Sequence, residues 1–212
     1  MRKTNQTASG FTMVELIIAM TIGLIILGAL YSVFTMQNRT LAIQEQVTEM
    51  QQNARLGMEI MLRDIQMAGY NPTKTSPWSS GMQPGLTGAT TNSLSFVSDL
   101  NANADTTTTG SNPEENIVYD RSVDGGTSSL RRTVNGTGNP IVENIDALSF
   151  AYYDRDGNAL SIPPPLSAVR KLQVTITAKS ARQDLSYSDP VYGDHYRRFS
   201  LTFQVAPRNL GL

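Results

Sequence analysis

Glu15 is the residue of this sequence whose type and position most clearly call for a chemical explanation. It carries the one charge among the 25 residues from Thr12 to Met36, which are otherwise mostly apolar. A charged side chain at the centre of a membrane-spanning helix costs on the order of 2.5–3.5 kcal/mol on insertion scales. Such a residue either snorkels to the interface or is protonated without a function, or it has a functional partner. The sequence therefore marks Glu15 as a candidate site residue.

Other catalytic chemistry is sparsely represented. The chain has no cysteine and a single histidine, His195, which we expect at the surface. Thiol nucleophiles, thiolate metal sites and histidine clusters are therefore excluded, and no P-loop, G-x-S-x-G or H-E-x-x-H motif is present. The remaining candidates are acidic residues that lie mostly in turn-like segments, where aspartate is favoured for its backbone hydrogen bonds: Asp99, Asp105, Glu114, Glu115, Asp154 and Asp156. We predict that the protein is not an enzyme, and a membrane-anchored periplasmic enzyme is the least favoured alternative.

Two acidic segments leave a calcium site open as an alternative to no cofactor at all. Asp154 to Asn158 and Asp99 to Asp105 both alternate oxygen-bearing side chains with other residues, as Ca²⁺-binding loops do. Neither segment has the complete EF-hand spacing with its terminal glutamate. Turn formation alone explains the first of them, so no metal ligand is assigned.

The charge balance argues against nucleic acid as a partner. The net charge is -1 and the isoelectric point is about 5.8, whereas phosphate binding requires a basic surface. Three adjacent basic pairs lie in strand-like segments, and we expect them on solvated strand edges: Arg131-Arg132, Arg170-Lys171 and Arg197-Arg198.

The apolar pattern divides the first 70 residues into three parts. Residues 1–10 are polar with two basic side chains, and residues 11–36 are long and apolar enough to span a bilayer. The span is too long for an ordinary signal peptide. Basic residues before it place the N-terminus in the cytoplasm and the rest of the chain in the periplasm. In residues 37–70, apolar residues from Val47 to Ala68 recur at spacings of three and four, which predicts an amphipathic continuation of one helix that stops at Gly69 and Pro72.

Residues 71–212 have the pattern of an antiparallel β-sheet domain. Residues 71–91 and 101–116 are expected to be loops. Strands are predicted where apolar and polar residues alternate: Leu94–Ser98, Ile117–Arg121, Leu130–Val134, Ala147–Tyr153, Leu172–Ala178 and Phe199–Val205. The fold class is therefore α+β, with the sheet packed on the amphipathic half of the N-terminal helix.

The junction Gly10-Phe11-Thr12-Met13-Val14-Glu15 resembles the processing site of type IV prepilins, in which a short basic leader ends before a phenylalanine and a glutamate follows at its fifth position. The resemblance implies that a prepilin peptidase cleaves between Gly10 and Phe11 and that the new amine of Phe11 is methylated. It also implies that Glu15 pairs with the Phe11 amine of a neighbouring subunit during assembly. Glu15 lies four residues from Phe11, so pairing within one chain is an alternative.

Two further segments resemble a particular branch of the pilin-like family. Leu62 to Tyr70 (LRDIQMAGY) and Asn144 to Tyr152 (NIDALSFAY) look like the minor pilin PilW and the related pseudopilin J of type II secretion. The resemblance implies a minor pilin that acts in an initiating or tip complex, with a secretion pseudopilin as the alternative. Its expected partners are other pilins, the peptidase, the inner-membrane assembly platform and membrane lipid.

Overall fold

The computed structural model describes residues 10–73, 85–104 and 115–210. Within these residues the chain forms one long helix, α1 (Met13–Met67), a short 3-10 helix (Leu166–Ala168) and strands that pair only in antiparallel fashion. The predicted α+β class, with a long N-terminal helix followed by antiparallel strands, is confirmed. The chain divides into two compact units, Met1–Glu45 and Gln46–Leu212.

The strands form two sheets where the sequence predicted one. The first sheet contains, in spatial order, β1 (Gly85–Ala89), β2 (Ser93–Val97), β3 (Asn116–Asp124), β4 (Thr127–Val134) and β5 (Thr137–Glu143). The second contains β6 (Ile145–Tyr153), β7 (Lys171–Lys179) and β8 (Arg198–Val205) in that order. Six of these strands were predicted. Strands β1 and β5 were not, and β1 occupies part of the segment expected to be a loop.

The second unit has its core between the two sheets and the C-terminal half of α1. The helix buries one stripe, as the spacing of its apolar residues predicted: Met50, Ala54, Gly57, Met58, Met61 and Ile65. A Cβ atom on Gly57 would lie 3.0 Å from Leu130 Cδ2 of β4 and 3.0 Å from Ile176 Cδ1 of β7. Both sheets therefore approach the helix closely at Gly57, where there is no side chain to hold them apart.

The end of α1 explains part of the LRDIQMAGY segment. Gly69 has a φ of 78°, the left-handed conformation that ends many helices, and its N–H donates to Val97 O of β2. The next carbonyl, of Tyr70, accepts from Asp99 N. The predicted helix stop is confirmed, and it also attaches the helix to the five-stranded sheet.

The first unit contains the apolar half of α1. Every large apolar side chain from Met13 to Met36 is more than half exposed, and a window of this helix has a mean hydropathy of 2.5 with none of it buried. The helix is long and apolar enough to cross a membrane. A helix that is apolar on all sides requires lipid or other helices around it.

Candidate processing and assembly site

The Gly10-Phe11 peptide bond lies in an open position immediately before α1. Phe11 is 85% exposed, and a Cβ atom placed on Gly10 would meet no described atom within 4 Å. The backbone of Gly10 is not left-handed either. In the part of the chain that the structure describes, nothing in the fold therefore requires glycine at this position.

Thr12 is the N-cap of α1, a role that the sequence analysis did not assign. The helix begins at Met13, Thr12 Oγ1 accepts a hydrogen bond from Glu15 N at 3.2 Å, and Leu16 N donates to Thr12 O. A threonine followed three residues later by glutamate is the spacing of a capping box, and it could have been recognised from the sequence. Thr12 thus fixes the point at which the helix starts.

Glu15 lies in the first turn of α1, where the partial positive charge of a helix N-terminus favours a carboxylate. Glu15 is exposed, and its carboxylate makes no ion pair among the described residues. Stabilisation of the helix N-terminus, by the Thr12 cap and by the carboxylate of Glu15 in the first turn, is a local structural function that competes with an assembly function for Glu15. The two explanations differ in what they require, because capping needs no other subunit.

The LRDIQMAGY segment of α1 contains Asp64, which binds other parts of the same chain. Asp64 Oδ2 accepts hydrogen bonds from Tyr119 Oη and Arg132 Nε, each at 2.7 Å. The Asp64 and Arg132 side chains are only 18% and 16% exposed. Burial raises the pKa of the Tyr119 hydroxyl well above its usual range, and the hydrogen bond to Asp64 raises it further. This group joins α1 to strands β3 and β4.

The NIDALSFAY segment contributes a second charged cluster. Its Asp146 accepts from Arg198 Nε at 2.7 Å, and Arg198 also pairs with Asp189 and Asp194 of the connection between β7 and β8. Hydrogen bonding by Arg198 is the largest cause that lowers the pKa of the Asp194 carboxyl to about 2. The Tyr192 ring stacks on the same guanidinium, with 3.9 Å between the ring centroid and Arg198 Cζ. The cluster fixes the β7–β8 connection to β6.

The expectation that the basic pairs lie on solvated strand edges is wrong for two of their members. Arg132 is 16% exposed and Arg198 is 11% exposed, and both bind carboxylates that are distant in sequence. Arg131 binds Asp120, and Arg197 binds Asp184. Because these carboxylates occupy the guanidinium groups, the arginines hold the fold together and do not form a basic surface.

The two segments considered for calcium are built by turn hydrogen bonds. The Asp154 carboxylate accepts hydrogen bonds from Asn158 Nδ2, from Asn158 N and from Asp156 N, and these bonds lower its pKa. The Asp99 carboxylate accepts from Asn103 N and Ala104 N, while Asp105 and Glu114 lie outside the described residues. No group of three or more His, Cys, Asp or Glu side chains in the described ranges is arranged to hold a metal ion. His195 is half-buried, and its Nδ1 is hydrogen bonded to Tyr187 O.

Comparisons with known proteins identify the N-terminal segment. Residues 5–31 match the family described as the prokaryotic N-terminal methylation motif. A search of curated protein sequences found no match. Among solved structures, the chain is similar to the type IV-like pilin TTHA1219 from Thermus thermophilus, with 14% identity, 76% of this chain and 97% of that chain covered, and a TM-score of 0.42.

The chain thus combines the N-terminal methylation motif with a long apolar helix and antiparallel sheets, the arrangement of a type IV pilin-like fold. The motif overlaps the start of α1, whose apolar half is long enough to anchor the chain in a membrane.

Proposed function

We propose that the protein is a minor pilin, cleaved by a prepilin peptidase between Gly10 and Phe11 and methylated at the Phe11 amine. The observation that carries this proposal is the match of residues 5–31 to the methylation motif. The exposed Gly10-Phe11 bond supports it, because no described contact of Gly10 explains why that position lacks a side chain. A peptidase that must approach the backbone closely does explain it.

The precursor then has four parts. Residues 1–10 are the leader, residues 11–36 span the inner membrane, residues 37–70 form the amphipathic half of the helix, and residues 71–212 form the periplasmic β domain. The N-terminus is cytoplasmic before cleavage. After cleavage the subunit leaves the bilayer for a filament, where the exposed apolar surface of α1 is covered by the helices of other subunits.

Glu15 acts in this second step. Cleavage creates a positive amine on Phe11, and a carboxylate from a neighbouring subunit neutralises it when the helices pack in register. Both charges are costly in an apolar phase, so the pair favours packed subunits over separate ones. The Thr12 cap supports this function, because it fixes the start of the helix and therefore the position of Glu15 relative to Phe11.

The resemblance to PilW favours an initiating or tip complex of a type IV pilus, and the resemblance of the NIDALSFAY segment to pseudopilin J keeps a type II secretion pseudopilus as the second candidate. The two share processing and assembly steps and differ in the proteins that surround the subunit. Identification of the pilins made together with this chain distinguishes them.

Replacement of Glu15 by Gln tests the proposal. The variant retains the size of the side chain and loses its charge, so membrane insertion and cleavage should be unaffected. Mass spectrometry should find N-methyl-Phe11 at the mature N-terminus of both the wild type and the variant. Incorporation of the variant into the filament or its initiating complex should fail, because the neighbouring Phe11 amine lacks its counter-charge.

Thr12→Val is the matched control, because it removes the capping hydroxyl and leaves the charge of Glu15 in place. If Thr12→Val and Glu15→Gln reduce incorporation equally, capping explains both residues. Normal incorporation of Glu15→Gln as the sole copy contradicts the assembly function. An intact Met1, or cleavage after residue 30, contradicts the processing.

A further inference from the structure

The edge strands of the two sheets in the second unit differ in how well they are protected against pairing with another chain. In the first sheet, β1 pairs with β2 through an irregular register between Leu86 and Gly88, and β5 carries Pro140 and pairs with β4 through another irregularity. Bulges and prolines on edge strands are devices that prevent pairing with other chains. Both outer edges of this sheet are therefore protected.

One edge of the second sheet is covered by the chain itself. Beside β6, Phe150 N donates to Thr91 O and Asn92 Nδ2 donates to Leu148 O. From strand β3 of the first sheet, Arg121 Nε donates to Ile145 O. These bonds occupy the backbone of β6, so within the described part of the chain the free edge of the second sheet is β8.

Strand β8 has none of the protective features found at the other edges. Its register with β7 is continuous from the pair Lys179 and Arg198 to the pair Leu172 and Val205, without a bulge. Phe199 to Val205 contains no proline and no charged side chain. An edge strand of this kind is a template for another strand and a risk for aggregation unless something pairs with it.

The side-chain burial of β8 shows that its apolar face is incomplete. The sequence predicted that Phe199, Leu201, Phe203 and Val205 share one buried face, and in β7 the equivalent alternation is fully buried. In β8 only Val205 is buried, and Phe203 is 53% exposed. The prediction was therefore too strong for β8, because a strand at the edge has a neighbour on one side only.

A groove lies between this edge and the flank of α1. Its volume is about 420 Å³, its apolar surface comes from Met58, Leu62, Leu201 and Phe203, and its rim carries Arg55, Glu59, Arg63 and Gln66. Glu59 and Arg63 face each other at 3.7 Å on the helix surface. Arg55 has no ion pair among the described residues, so the groove combines an apolar floor with an uncompensated positive charge at its rim.

We propose that the free edge of β8 and this groove bind an extended segment of a different filament subunit, which adds to the sheet as a fourth strand. This inference rests on the proposed function only in one respect, which is that the partner of β8 is a filament subunit. Its backbone pairs with β8, one of its apolar side chains fills the groove beside Phe203, and a carboxylate of the segment pairs with Arg55. Strand addition of this kind takes affinity from the main chain and specificity from alternate side chains.

The charge of the groove favours a different subunit over a second copy of this chain. In a symmetric pair of two β8 strands, each groove would receive the sequence from Arg198 to Val205 of the other copy. That strand carries Arg198 and no carboxylate, so it cannot compensate Arg55. A second copy would therefore leave Arg55 without a counter-charge, whereas a segment of another subunit that carries a carboxylate would supply one.

The absence of native cysteine makes the test direct, because one introduced thiol is unique in the chain. Phe203→Cys is made in the full-length protein, and Val123→Cys is the matched control, since Val123 is an apolar strand residue that is 60% exposed and distant from the groove in sequence. Labelling by a membrane-impermeant maleimide is compared between cells that assemble filaments and cells without the other subunits. We expect assembly to slow labelling of the Phe203→Cys variant by about tenfold, the effect of about 1.4 kcal/mol of net binding, and to leave labelling of the Val123→Cys variant unchanged.

The partner is identified by a photo-reactive phenylalanine analogue at position 203, again with position 123 as the control. A cross-link from position 203 to an extended segment of another subunit that bears the methylation motif supports the proposal, and Arg55→Glu should reduce its yield. A cross-link from position 203 to a second copy of this chain overturns the proposal. So does slower labelling of the Phe203→Cys thiol on assembly without any cross-link to a protein. Equal labelling of that thiol with and without assembly overturns it as well. Protease resistance of the full-length variants in detergent verifies folding.

The proposed function and this inference fail in different ways. If the Phe203→Cys variant is processed at Phe11 and incorporated but its thiol remains as reactive as before assembly, only the docking of a strand at β8 is wrong. If the chain is never incorporated into a filament, both are wrong.

Discussion

Removal of the amphipathic half of α1 should unfold the β domain. A fragment that begins at Asn71 lacks Met50, Met58, Met61 and Ile65, each at most 4% exposed in the intact chain. Full burial of one such side chain contributes about 1.5–3 kcal/mol, so the four together contribute about 6–12 kcal/mol. A whole domain has a net stability of about 5–15 kcal/mol. The loss is therefore as large as the entire stability of the domain.

The comparison requires a second fragment that begins at Gln37 and retains the whole of the unit Gln46–Leu212. We expect this longer fragment to be monomeric, with a mixed helix and strand circular dichroism spectrum and a cooperative thermal transition. The fragment from Asn71 should aggregate or bind a hydrophobic dye, because the apolar faces of β4 and β7 lose their cover.

A shorter fragment that is monomeric and melts at the same temperature as the longer one would refute the reasoning. It would mean that the two sheets form a sufficient core by themselves, and that the buried stripe of α1 adds little to it. A fragment from Asn71 that folds only when a peptide of residues 46–70 is added would instead support the calculation.

Two further predictions concern the charged groups. Asp64→Asn should lower the free energy of unfolding of the Gln37 fragment by about 2 kcal/mol, since a hydrogen bond to a charged partner such as Arg132 contributes about 1.5–3 kcal/mol, whereas the exposed Glu59→Gln should change it by less than about 0.5 kcal/mol; equal effects in urea titrations would contradict this. Because the folded pKa of Asp194 is depressed to about 2, its pairing with Arg198 stabilises the fold above the unfolded pKa of about 3.9 and is lost as pH falls toward 2. Faster amide exchange in the β7–β8 connection over that interval, absent in Asp194→Asn, checks it.

The periodic elements could be predicted because their signals are local. The stripe from Val47 to Ala68 has the spacing of one helix face, and Gly69 supplies the conformation that ends it. The alternation in Leu172–Ala178 likewise gives β7 with its buried face correct. In these segments the burial that the sequence implies is the burial that the fold provides.

Strands β1 and β5 were missed because their sequences are poor strands taken alone. Strand β5 reads TGNPIVE, with glycine and proline in its first half and buried only at Val142. Its place is determined by the turn at Asn135-Gly136, where both residues have positive φ and form a two-residue hairpin connection. An Asn-Gly pair is a strong local signal for such a hairpin, and it could have revealed β5 from the sequence.

The functions of the arginines could not be read from sequence, because their partners are remote. Asp64 is 68 residues from Arg132, and Asp146 is 52 residues from Arg198. An adjacent basic pair has the same local appearance whether it is solvated or bound to a buried carboxylate. Only the packing of α1 on the strands and the pairing of the strands determine which of the two it is.

Gly57, within α1, and Gly10, immediately before it, differ in whether the fold explains why the position has no side chain. At Gly57 a side chain would meet Leu130 and Ile176 at 3.0 Å, so the packing of this chain accounts for the glycine. At Gly10 a side chain would meet nothing described, so the packing does not account for it. The same contrast holds between Asp64, whose carboxylate is bound within the chain, and Glu15, whose carboxylate has no described ion-pair partner. The fold therefore leaves Gly10 and the carboxylate of Glu15 unexplained, and the proposed cleavage and subunit pairing supply the requirement that the fold does not.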